Sequence, residues 1–192
     1  MSTRRTKKSA IYEEAARLFR ERGYQSASMR DLADRVGLKV SSLYSHIGSK
    51  EELLHKICFD NAHLFIEGLT TIESYGGTAV QQLRAVIGLH VDIAIENPTS
   101  VTVFSDEWRH LTEDNLEEFL ALRKAYESRL QAIIEQGIKE GSLKPVVPTI
   151  TLYTLLTAVR WLHYWYKPSR EVQPAQLKQQ LGTLLLDGLV VA

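Results

Sequence analysis

Between Ser28 and Lys50 the chain gathers side chains suited to meeting a nucleic acid. Ser41, Ser42, Ser45 and His46 are small or flat polar residues packed into six consecutive positions. Serine hydroxyls donate to or accept from several bases, so readout by such a face is modest, but their short reach lets the backbone approach base edges closely. Lys39 and Lys50 bracket the segment, and each ammonium can neutralise a phosphate. Tyr44 can aim its hydroxyl at a phosphate while its ring packs. Ser28 and Arg30, beside the backbone N–H groups that open the preceding helix, can hold another phosphate oxygen. Arg4, Arg5, Lys7 and Lys8 supply a flexible basic arm for a minor groove. Catalytic chemistry has no comparable signal: there is no nucleophile elbow, Gly-rich phosphate loop or metal motif. His46 has no neighbour at ligand spacing, since His55 and His63 fall on another helix. The expectation is a non-enzyme with no catalytic residue, metal or cofactor.

These residues need a scaffold, and the flanking apolar pattern provides one. Met29, Leu32, Ala33 and Val36 repeat at i, i+3, i+4, i+7, the spacing of one buried helical stripe. Gly37 breaks that helix, and the chain re-enters a helix by Val40 or Ser41. Val40, Leu43 and Ile47 are expected to face inward, leaving the serines and His46 outside. Two short helices joined by a Gly-containing turn form a helix-turn-helix whose second member can enter a major groove. Asp31 lies three residues after Ser28, a weak capping box. Ser49 and Glu52 form a stronger one that opens the next helix.

Charge is distributed to match. The 192 residues have zero formal net charge, yet residues 1–50 carry 11 Lys/Arg against 5 Asp/Glu, leaving the remainder as acidic as the first quarter is basic. A basic end on an acidic body points to one polyanion-binding end. No apolar run approaches the roughly 18 uninterrupted residues of a membrane span. Ile11 begins an amphipathic helix rather than a signal-peptide core, so the expected location is cytoplasmic. The lone Cys58 lies in an apolar-periodic helix and reads as a small buried hydrophobe.

Every strongly periodic segment has the helical period, so the expected fold is all-α, with about nine helices and no sheet. A first helix runs from Ile11 to near Gly23. The fourth runs from Ser49 to Gly76-Gly77, the fifth to Asn97-Pro98, and a short sixth covers Val101 to Arg109. A seventh runs from about Asn115 to Glu140, an eighth from Pro148 to Lys167, and a ninth from Pro174 onward. Residues 1–48 are expected to form the DNA-binding head. Residues 49–192 form a ligand-binding and dimerisation domain, with helix four (49–75) as a shared connector.

The run Ser28, Leu32-Ala33, Val36-Gly37, Leu43-Tyr44-Ser45-His46-Ile47 and Ser49-Lys50-Glu51-Glu52-Leu53 resembles the head of TetR-type (TetR/AcrR) transcriptional repressors. The match covers roughly residues 7–55. Ile47 stands where phenylalanine is usual, and Ser41 where glycine is common. The resemblance implies a homodimer with a ligand-binding C-terminal domain and repression relieved by a small molecule.

The C-terminal half supports two further expectations. Helices eight and nine are apolar over most of their circumference, and a helix apolar all round must be covered all round. A second subunit would supply the cover through Leu155, Leu162, Trp165, Leu181, Leu184, Leu185 and Leu189, and a twofold axis predicts a palindromic operator. In helix seven Arg123 and Glu127 interrupt a stripe of Leu116, Phe119, Leu120, Tyr126, Leu130, Ile133 and Ile134. Either the two charges satisfy each other at i, i+4, or Arg123 lines a cavity and meets an anionic or carbonyl group. Tyr126, the face Tyr153, Thr157, Arg160 and Tyr164 of helix eight, and Trp108 with Arg109 are candidate ligand contacts.

Glu107-Trp108-Arg109-His110-Leu111, Arg123 with Tyr126-Glu127, and Trp165-Tyr166-Lys167-Pro168 resemble the branch of that family whose effectors are acyl-CoA thioesters of fatty-acid, aromatic or steroid catabolism. The implied activity is a dimeric repressor released from operator DNA by such an effector through movement of helix four. The competing readings are a constitutive DNA binder or an activator without an effector.

Overall fold

The computed structural model describes residues 6–167 and 172–190, and Arg4 and Arg5 lie outside them. Among the described residues there are ten α-helices and one 3₁₀ turn. They are α1 (Lys7–Arg22), α2 (Met29–Arg35), α3 (Val40–Tyr44), α4 (Lys50–Tyr75) and α5 (Ala79–Glu96). Then come α6 (Pro98–Asp106), the 3₁₀ turn Trp108–His110, α7 (Glu113–Lys139), α8 (Pro148–Arg160), α9 (Leu162–Trp165) and α10 (Pro174–Leu186). The described residues contain no strand, only an isolated antiparallel bridge between Leu143 and Val190.

The helix boundaries follow local chemistry. Thr6 caps α1 by accepting from the Ser9 amide, so Lys7 and Lys8 belong to the first turn of that helix, not to an extended arm. Ser28 and Asp31 form a complete capping box on α2, and Thr78 and Gln81 form one on α5. Pro148 and Pro174 open α8 and α10, where a missing N–H costs nothing. The expected sixth helix is α6 followed by the 3₁₀ turn. The expected eighth is cut at Trp161, whose conformation ends α8 and starts the four-residue α9.

The chain forms two compact units. The first holds residues up to Asn61 together with Thr99–Leu120, and so extends well past residue 48. The second holds Ala62–Pro98 and everything from Ala121 onward, and α4 and α7 each run from one unit into the other.

In the first unit Ile11, Ala15, Leu18 and Phe19 of α1 are buried with Leu32 and Ala33 of α2, Leu43, Ile47, and Leu53, Leu54 and Cys58 of α4. Burial pushes the Cys58 thiol up to about 12, so it stays protonated. The second unit packs α10, α8 and α9 against α5. Lys178 pairs with Asp92 at 2.5 Å, and Arg129 of α7 reaches Glu73 at 2.5 Å and the Thr70 hydroxyl at 2.9 Å on α4. A Cβ on Gly137 would lie 2.8 Å from the Ala79 Cβ, so only glycine allows that approach of α7 to α5.

The turn between α2 and α3 depends on Gly37, whose φ is +66°. No atom lies within 4 Å of a Cβ built there, so a side chain costs only its backbone conformation. Gly37→Ala should therefore destabilise the chain by about 1 kcal/mol in urea unfolding at fixed protein concentration. Gly188→Ala, at a glycine with neither positive φ nor close neighbours, should be nearly neutral. Equal effects would contradict this account of the turn.

Candidate functional site

Leu43 and Ile47 are 0% and 1% exposed and pack the helix-turn-helix shut. That burial fixes the rotation of α3 about its axis and turns Ser41, Tyr44, Ser45 and His46 to solvent, with Ser42 half-buried. Val40, expected inward, is 38% exposed: it is the first residue of a five-residue helix, and the inner face is already filled by Leu43 and Ile47. The Ser45 hydroxyl donates to the Ser42 carbonyl at 2.7 Å, closing the last turn of α3. Lys39 sits at the N-cap of α3. It and Arg30 are exposed and make no ion pair with any described residue. Ser28 is committed to its capping box: its hydroxyl donates to Asp31 Oδ2 at 2.5 Å while accepting from the Asp31 amide at 3.1 Å. Several other cations of the head are paired, Arg22 with Asp31 at 2.9 Å and Arg35 with Glu21 at 2.5 Å.

The start of α4 braces the turn that follows α3. Glu52 accepts from the Gly48 amide at 2.7 Å, not from Ser49, while its own amide donates to Ser49 Oγ at 3.1 Å. It also accepts from the Tyr12 hydroxyl at 3.0 Å. The Gly48 amide is the main reason its carboxyl is held below the usual range. Lys50, expected to clamp a phosphate, lies 4.2 Å from the centroid of the Tyr24 ring and donates to the Gln25 carbonyl at 3.3 Å. Partial burial lowers its pKa.

In the second unit the candidate ligand contacts separate. Arg123 Nε donates to Glu127 Oε1 at 2.9 Å, and the Tyr153 hydroxyl donates to Glu127 Oε2 at 3.1 Å, so the two charges satisfy each other. Tyr153, Thr157, Arg160 and Tyr164 all lie on the exposed side of α8 and α9. Trp108 and Arg109 lie in the first unit, with the guanidinium over the Trp108 ring and Trp108 stacked on Phe119. Of the interface candidates, Leu155 and Leu162 are consumed by the unit's own core. Trp165 and Leu184 are 46% and 75% exposed, and Leu181, Leu185 and Leu189 are half-buried. Ile150, Tyr153, Trp161 and Tyr164 add to the exposed side.

The opposite side of α8 lines a small apolar cavity. Leu152, Leu155, Leu156 and Val159 meet Leu83, Val86, Ile87 and His90 of α5 and Leu130 and Ile134 of α7 around about 10 Å³, the room of a single water. His90 is the one polar side chain in that lining. Its Nε2 lies 2.9 Å from the Tyr126 hydroxyl, and its ring is 4.6 Å from that of Phe65. Burial, followed by the charge of Arg160, lowers its pKa to about 4. A lone histidine in an apolar helix carried no sequence signal. Among the described residues no three His, Cys, Asp or Glu side chains are grouped to hold a metal ion, and no helix is long and apolar enough to cross a membrane.

An outward polar helix held by a buried seam is the arrangement of a helix-turn-helix DNA-binding unit. Residues 11–57 match the family model for bacterial regulatory proteins of the tetR family, and residues 76–189 match that for the tetracyclin repressor-like C-terminal domain. The chain therefore belongs to the tetR family. It is 25% identical over 185 residues to the HTH-type transcriptional repressor KstR2 of Rhodococcus jostii, covering 95% of this chain and 91% of that protein. Its fold superposes on the ketosteroid transcriptional regulator KstR2 of Mycobacterium tuberculosis with a TM-score of 0.93 at 21% identity, over 99% of this chain and 98% of that one. The structure of AibR in complex with isovaleryl coenzyme A and operator DNA aligns with a TM-score of 0.83 at 28% identity, over 93% and 97% of the two chains.

His90, half-buried with its ring turned into the cavity lining, makes stability depend on pH. The unfolded chain takes up its proton near 6.5 and the folded chain near 4, so between these values the unfolded state binds more protons and stability is lost as pH is lowered from 6.5 toward 4. The thermal midpoint should drop across that window, and His90→Gln should drop less steeply. Parallel profiles for the two proteins would contradict this protonation state.

Proposed function

We propose that the chain is a dimeric, cytoplasmic repressor that binds a palindromic operator through two copies of α3 and is released by an apolar anionic effector of the acyl-CoA class. The observation that carries the DNA half is the solvent-facing polar side of α3, flanked by exposed Arg30 and Lys39, which pair with no carboxylate among the described residues. Ser41, Ser42, Ser45 and His46 meet base edges, and Tyr44 and Lys39 meet phosphates. Lys50 acts mainly through Tyr24, so its contribution is to brace the head.

The exposed stripe Ile150, Tyr153, Trp161, Tyr164 and Trp165, with Leu184 of α10, forms the subunit interface. Exposed aromatic residues grouped on one surface are what a subunit interface uses. Twofold symmetry then presents two recognition helices to half-sites spaced about 34 Å or a multiple of it.

The effector enters between α5, α7 and α8, where the small apolar cavity already lies, and widens it. His90 and Tyr126 give the cavity a polar end, and Arg123 and Arg160 supply cations for the coenzyme's phosphates after exchange of the Glu127 pair. AibR, of the same family, was solved with isovaleryl coenzyme A and operator DNA, which supports an acyl-CoA as the class to test first. Displacement of α5, α7 and α8 moves α4, one continuous helix from Lys50 to Tyr75, and changes the spacing of the heads. A coupling of about 1–3 kcal/mol would weaken operator binding roughly 5- to 150-fold.

The test begins with selection of bound duplexes from genomic fragments, followed by anisotropy titration with an acyl-CoA series. A palindromic site bound by a dimer and weakened by at least one acyl-CoA is expected. Tyr44→Ala should weaken binding to all duplexes alike, whereas Ser42→Ala should change base preference more than affinity. No sequence preference at physiological salt would overturn the DNA half, and undiminished operator binding across the acyl-CoA series would overturn the effector half.

A further inference from the structure

The loop between α1 and α2 is gripped by a residue nearly ninety positions away. Tyr24 is 7% exposed, with its ring edge-on to Phe19 at 5.2 Å. His110, the last residue of the 3₁₀ turn, stacks on it with centroids 5.5 Å apart and planes 17° from parallel. The Lys50 ammonium lies over the same ring, 4.2 Å from its centroid. Burial raises the Tyr24 hydroxyl to about 12, so the ring stays neutral.

His110 is also fixed in its plane. Its Nε2 lies 3.4 Å from Glu107 Oε2, and its Nδ1 lies 3.5 Å from Gln25 Nε2. One tautomer serves both: Nε2–H donates to the carboxylate while Nδ1 accepts from the Gln25 amide. Glu107 itself rests against the loop, with its carboxylate 3.6 Å from where a Cβ on Gly23 would stand. Gly23, Tyr24 and Gln25 are thus held by Glu107, His110 and Lys50, all within the first unit.

This loop leads directly into Ser28 and α2, the helix against which α3 packs. We propose that His110 is a positioning residue for operator binding: by stacking on Tyr24 it fixes the loop that sets α2, and through α2 it sets the angle at which α3 meets DNA. Segment 107–111 then works as part of the DNA-binding head although it lies far along the chain. The proposal rests on the DNA-binding role given above.

The test uses the full chain and a duplex recovered by the genomic selection. His110→Ala should weaken that duplex about three- to tenfold, the range of one lost aromatic pair. It should also raise amide exchange over residues 24–31 while leaving the helical circular dichroism and subunit assembly unchanged. His110→Phe, which keeps the stack and loses both ring-nitrogen contacts, should restore most of the affinity. His110→Gln, which keeps a polar group and loses the stack, should not. Wild-type affinity and exchange in His110→Ala would overturn the proposal, as would rescue by glutamine but not phenylalanine. Should His110→Ala lose its fold, the phenylalanine and glutamine pair decides the matter. If the wild-type protein selects no duplex, the DNA-binding reading itself has failed, and the exchange data alone then judge whether His110 holds the loop.

Discussion

Everything in the head depends on the burial of Leu43 and Ile47. A helix of five residues cannot hold itself in water, because nucleation costs more than its few hydrogen bonds return. α3 exists because two apolar side chains anchor it against α2 and because Gly37 lets the chain turn with a positive φ. Once those anchors are set, the outward residues are fixed by helical geometry alone. The polar face is a consequence of the buried one. Reinforcement from α4 follows the same logic, since Glu52 ties the turn after α3 to the Tyr12 hydroxyl of α1.

In the second unit one helix serves two purposes. The inner side of α8 completes an apolar cavity with α5 and α7, while its outer side, continued by α9, carries exposed Ile150, Tyr153, Trp161 and Tyr164. Under the proposed function, effector and partner subunit press on opposite sides of the same helix. A ligand that widens the cavity would then act on the subunit arrangement as well as on α4. His90 is the one polar side chain in the cavity lining, and its hydrogen bond to the Tyr126 hydroxyl and its lowered pKa keep that ring uncharged at neutral pH.

Much of this was readable from the sequence. Met29, Leu32 and Ala33 of the expected stripe, the break at Gly37, the inward Leu43 and Ile47, and the outward serines follow from period and turn chemistry; Val36, the stripe's fourth member, caps the end of α2 and is only half-buried. So do the capping residues Ser28 and Ser49 and the opening prolines of α8 and α10. The errors have physical causes. Val40 obeys the i, i+3 spacing to Leu43 yet sits on the first turn of a helix too short to bury it. Helices eight and nine read as apolar all round, but periodicity cannot tell which side a chain uses for its own core. Leu155 and Leu162 therefore went to the core, and Ile150 and Trp161 to the surface. His90 and the grip of His110 on Tyr24 are tertiary facts, since nothing local marks a residue that acts across such a distance.

The central claim is that α3 lies in the major groove, once per subunit of a twofold dimer. Cys58 is fully buried with its thiol held protonated, so a cysteine placed at Ser41 would be the one reactive thiol. Tethering a copper-phenanthroline cleaver to Ser41→Cys and mapping the cuts on a bound duplex tests the claim directly. Two symmetry-related clusters of cleavage, separated by about one helical turn or a multiple of it, are predicted. Scattered cleavage, or none on a duplex the protein demonstrably binds, would contradict it.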